Sequence, residues 1–156
     1  MTLRRLRQEW LKLQNDPLPT CSAAPISDED MLHWTGTVSG PSNTPYCGGI
    51  FHVNIQLPEI YPREPPRLTF TTPIFHPNVS PQGGIQLGEL ERAQWAPVLT
   101  IRTLLVSLQA LLSDPNLAEG CVLDEEAANM YLGDPEGFGE RARQCTVSHA
   151  MSGGTD

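Results

Sequence analysis

The sequence predicts an α+β domain. An amphipathic helix comes first, short alternating strands follow it, and helical periodicity returns only after a long irregular segment. A chain of 156 residues fits one ordinary domain and buries roughly 70% of its unfolded surface without needing disulfides or metal. Residues 1–150 are expected to form that single domain, with 151–156 as a frayed tail.

Leu3, Leu6, Trp10 and Leu13 share one face at helical spacing, while Arg4, Arg5, Arg7, Gln8 and Lys12 lie elsewhere. Asp16-Pro17-Leu18-Pro19 stops this first helix, because the residue before a proline avoids helical geometry. His33 to Val38 reads as a strand, and the turn-rich Gly40 to Pro45 breaks it. The clearest strand follows: Phe51, Val53, Ile55 and Leu57 alternate with His52, Asn54 and Gln56. Beyond the proline-dense Pro58 to Pro66, Leu68 and Phe70 alternate again, which indicates an antiparallel meander with one wet face.

From Thr71 to Val98 neither periodicity holds. An ordered irregular segment of that length inside a domain is usually functional. Thr100 then caps a helix carrying Ile101, Leu104, Leu105, Leu108, Leu111 and Leu112, which Asp114-Pro115 ends. Asp124 caps a short helix through Tyr131, and Asp134-Pro135 opens a last one with proline at its first position.

A net charge of −8 argues against nucleic acid as a partner, since phosphate binding needs clustered cations. No apolar run is long enough for a bilayer, and none at the N-terminus resembles a signal peptide, so no membrane association is expected. Cys21, Cys47, Cys121 and Cys145 lack CxxC spacing and have only scattered histidines for company. Neither a metal site nor another cofactor is expected, and reduced thiols point to the cytoplasm or nucleus. Lys12 is the only lysine in the sequence.

Several short motifs carry the reading further. Tyr61-Pro62-Arg63-Glu64-Pro65-Pro66 is followed by His76-Pro77-Asn78, Gly84-Ile85-Gln86-Leu87, Trp95-Ala96-Pro97 and Leu111-Leu112-Ser113-Asp114-Pro115-Asn116. In that order and spacing they closely resemble the ubiquitin-conjugating enzymes, over nearly the whole stretch from Leu3 to Cys145. The resemblance implies an N-terminal helix, a four-stranded antiparallel meander, an active-site segment and about three further helices. It also implies a cysteine, a few residues past His-Pro-Asn, that carries ubiquitin as a thioester. Gln86 stands at that position. A carboxamide is neither nucleophile nor usable leaving group, so the central acyl transfer has no carrier there.

By the same resemblance, Asn78 stabilises an oxyanion or shapes the loop, His76 holds the loop by hydrogen bonds, and Glu119 orients or deprotonates the incoming lysine. Arg4, Arg5 and Arg7 match a helix presented to the activating enzyme. The loops at Arg63 and at Ala96-Pro97-Val98 match those read by ubiquitin ligases, and Ser22 matches a sheet position that binds a second ubiquitin non-covalently. Arg63 replaces a large apolar side chain, and its guanidinium cannot enter an apolar groove without a desolvation penalty. The expected partners are ubiquitin or a ubiquitin-like protein, the activating enzyme, and a ligase or an active conjugating enzyme. Three readings stay open: a binding protein without thioester chemistry, an active enzyme whose native cysteine at position 86 was substituted, and an active enzyme whose nucleophile moved to Cys121.

Overall fold

A computed structural model describes residues 2–151. The expected tail therefore lies, Met151 apart, outside the described residues. The helix α1 (Thr2–Asn15) leads into strands β1 (Cys21–Ser27), β2 (Asp30–Ser39), β3 (Ile50–Gln56) and β4 (Arg67–Phe70). These four strands form one antiparallel sheet in sequential order, the meander expected. After a single 3-10 turn at Gly88–Leu90 come α2 (Ile101–Ser113), α3 (Glu125–Gly133) and α4 (Pro135–His149).

Alternation decides which face of the sheet is dry. Trp34, Val38, Phe51, Val53, Ile55, Leu68 and Phe70 point inward and are buried. Leu104, Leu105, Leu108, Leu111 and Leu112 of α2 belong to the same apolar core. Each such side chain contributes roughly 1.5–3 kcal/mol by leaving water. The wet face carries rows such as Ser22, Thr37 and His52, which are register partners across β1, β2 and β3. Among the described residues no buried side-chain nitrogen or oxygen lacks a hydrogen-bond partner, so the core is dry without an uncompensated polar cost.

The helix starts follow their caps. The Thr100 hydroxyl accepts from the Thr103 amide at 3.1 Å, and the Thr103 hydroxyl accepts in turn from the Thr100 amide at 2.8 Å. Asp124 accepts from the Ala127 amide and Asp134 from the Gly137 amide, each at 3.1 Å. A Cβ at position 137 would lie 2.2 Å from Asp134 Oδ2, so the glycine there serves the cap.

Two features depart from the pattern read along the chain. Leu3 is 48% exposed, whereas Glu9 is only 6% exposed; the buried stripe of α1 is Leu6, Glu9 and Leu13. The β1 strand has no hydrophobic alternation and contains Pro25. It survives because it is an edge strand, where a missing N–H costs no ladder bond. No helix among the described residues is long and apolar enough to cross a membrane.

Candidate functional site

The irregular segment folds into a tight structure of its own. Val79 bridges Ile85, Gly84 bridges Thr69, and a turn between them is closed by Ser80 accepting from the Gly83 amide at 2.9 Å. Gly83 has φ +97°, and a Cβ there would sit 2.2 Å from the Phe70 carbonyl oxygen. Only glycine fits such a position. The next amide but two, that of Gln86, donates to the Asn78 carbonyl at 2.9 Å, which places the Gln86 side chain beside the segment's end, half-buried. Its Nε2 donates to Glu91 Oε2 at 2.7 Å.

His76 and Asn78 are both fully buried and fix this segment to the rest of the molecule. His76 Nδ1 accepts from the Asn78 amide at 3.0 Å, which leaves Nε2 to donate to the Leu111 carbonyl of α2 at 2.8 Å. One proton satisfies both bonds, so the ring is neutral. Burial pushes its pKa down to about 4, only partly opposed by the bond to Leu111. The Asn78 carboxamide is used completely: Nδ2 donates to the Asn116 and Cys121 carbonyls at 2.7 and 2.9 Å, and Oδ1 accepts from the Asn116 amide at 2.8 Å. The Pro77 carbonyl accepts from the Leu123 and Asp124 amides. Asn78 therefore ties residues 116–121, and Pro77 residues 123–124, to the segment that carries Gln86.

Cys121 lies in the stitched segment, half-buried, tied to Asn78 through its carbonyl. Glu119 is exposed in the same segment, and among the described residues its carboxylate has no hydrogen-bond or ion-pair partner. In this arrangement Asn78 shapes the loop, with its amide protons spent on internal carbonyls, and His76 does the same work one step earlier. Among the described residues no group of three side chains could hold a metal ion.

The outlying positions divide. Arg4 and Arg7 are exposed on α1. Arg5 turns inward, donating from Nε to Glu9 Oε2 at 2.7 Å and from Nη2 to the Leu99 carbonyl at 2.8 Å. Arg63 and Pro97 are exposed, and Val98 is 80% exposed. Ser22 stands on the wet face of the sheet, its hydroxyl 2.6 Å from that of Thr37. It borders an open groove of about 470 Å³ that Trp10, Leu13, Leu18, Ala24 and Thr37 also line.

Two contributors were not found by reading along the chain: Glu91, which holds Gln86, and the buried Glu9, which accepts from Tyr61 of the first motif. Of the two, Glu9 leaves a signal, a carboxylate on the apolar stripe of α1, four residues after Arg5.

The geometry thus ties His76-Pro77-Asn78 to Gln86, to Leu111 of α2 and to residues 116–124, beside a four-stranded meander. The family model described as "Ubiquitin-conjugating enzyme" matches residues 5–146, and the chain belongs to the ubiquitin-conjugating enzyme family.

Proposed function

We propose that this chain serves the ubiquitin conjugation pathway as a binding protein that carries no thioester. The observation behind the reading is Gln86. By resemblance it stands at the relay position, and its amide is engaged by Glu91 rather than poised for attack. A carboxamide supplies neither a nucleophile nor a leaving group at neutral pH. The surrounding fold is complete, so its partner surfaces persist without the chemistry.

Those surfaces are Arg4 and Arg7 of α1 toward an activating enzyme, and Arg63 with Pro97 and Val98 toward a ligase or an active conjugating enzyme. Ser22, on the groove of the wet face, would take ubiquitin non-covalently. Interfaces of this kind are small and transient, and a dissociation constant of about 1 μM, near −8 kcal/mol, suits them. The activity belongs in the cytoplasm or the nucleus, where the four thiols stay reduced.

The test is a thioester assay with activating enzyme, ATP and ubiquitin, run on this chain and on Gln86→Cys. The chain itself should give no adduct that a thiol reductant removes, and Gln86→Cys should give one. A reducible adduct on the unaltered chain would overturn the reading. Its disappearance in Cys121→Ser would then assign the nucleophile to Cys121.

A further inference from the structure

Glu9 is the one buried carboxylate of α1, and three donors from three different segments converge on it. Arg5 Nε and the Tyr61 hydroxyl donate to Oε2 at 2.7 and 2.6 Å, and the Ile101 amide donates to Oε1 at 2.8 Å. Ile101 is the first residue of α2, so the carboxylate also sits at the positive end of that helix. The donors extend the junction outward. Arg5 Nη2 holds the Leu99 carbonyl. The Tyr61 ring lies under the Arg5 guanidinium at 5.6 Å and against Trp95 at 6.1 Å, while Trp95 Nε1 donates to the Pro62 carbonyl at 2.8 Å.

What hangs from this junction is as telling as the junction itself. Tyr61 is two residues from the exposed Arg63, Leu99 is next to the exposed Val98, and α1 bears the exposed Arg4 and Arg7. Resting on the functional reading above, we propose that Glu9 is a positioning residue. It sets the relative placement of the three segments with which this chain meets its protein partners, although no partner touches it. Apolar residues of similar size could supply the stability of a buried ion pair. A carboxylate with three donors instead fixes distances and directions, because a network in low dielectric is strong only when every member is in place. Burial, and then the adjacent Glu9 charge, hold the Tyr61 phenol far above its ordinary pKa, so it remains a donor throughout the physiological range.

The experiment compares the full chain with Glu9→Gln and Tyr61→Phe. The first readout is hydrogen exchange at the Arg63 and Leu99 amides, which bond the Ile60 and Ala96 carbonyls within the two loops. Glu9→Gln should speed exchange at both. Tyr61→Phe, which cuts only one spoke, should speed Arg63 and leave Leu99 alone. The second readout is titration with ubiquitin-activating enzyme and with ubiquitin. Glu9→Gln should weaken the first by at least about ten-fold, or 1.4 kcal/mol, and leave binding at the Ser22 face unchanged.

Unaltered exchange at both amides in Glu9→Gln overturns the proposal, as does equal weakening toward both partners, which marks a general loosening. Should Glu9→Gln fail to fold, Tyr61→Phe decides the matter: unchanged exchange at Arg63 overturns it. A wild-type chain that binds neither protein overturns the functional reading instead, and the loop amides still distinguish a positioning carboxylate from an idle one.

Discussion

Acidification should destabilise this protein through His76. The ring is buried and neutral, with a pKa of about 4 against an ordinary 6.5. The unfolded chain therefore takes up a proton as the pH drops below about 6.5, while the folded chain refuses it until about 4. Stability contributed by the neutral ring is complete above that window, is lost progressively within it, and falls no further below it. The full difference is worth about 3 kcal/mol at 1.36 kcal/mol per pH unit, and about 2 kcal/mol of it should be gone by about pH 5. With a urea dependence of about 2 kcal/mol per molar, the midpoint moves down by about 1 M.

Urea titrations followed by tryptophan fluorescence, between about pH 7 and about pH 5, measure this directly. His76→Gln supplies the comparison, because its amide can still donate to the Leu111 carbonyl but cannot titrate. The variant should start less stable and lose much less between the two pH values. Parallel loss in both proteins would refute the reasoning, since carboxylates elsewhere would then account for the slope.

Asn78→Ala should cost about 3 kcal/mol, because it orphans the Asn116 amide and two carbonyls at once; thermal unfolding measures the loss, and exchange at the Asn116 amide should rise with it. Gly83→Ala should cost roughly 2–3 kcal/mol, from its left-handed backbone and the close Phe70 carbonyl, read by urea denaturation. Gly139→Ala should go the other way, since a Cβ in that turn of α4 meets nothing within 4 Å. A gain of about 0.5–1 kcal/mol, or about 2–4 °C in Tm, would appear by calorimetry, and a loss would contradict the open space.

Local rules made most of the fold legible. Phe51 to Leu57 alternates because one face of β3 is dry, and Thr100, Asp124 and Asp134 declare their helices by capping chemistry that acts within three residues. The strand Cys21–Ser27 was visible only through resemblance, since small residues and Pro25 give no local β signal. At the site, the positions of His76, Asn78 and Gln86 were legible in the motif order. The bonds of the first two were not: Leu111 meets His76, and Asn116 and Cys121 meet Asn78, from 35 to 43 residues away. Arg5 shows the same limit. Its spacing suggests a pair with Glu9, but nothing along the helix reveals a Leu99 carbonyl 94 residues on.

Lys12, exposed in the last turn of α1, gives this surface an unusual chemical simplicity. Every other long cationic side chain is an arginine, which amine-directed reagents and isopeptide chemistry do not engage. A dye, a cross-linker or a ubiquitin joined to a lysine of this protein therefore has a single address. That makes Lys12 the one side-chain amine, so a tether through a lysine holds the molecule by α1. Lysine-based cross-linking will report only the neighbours of α1.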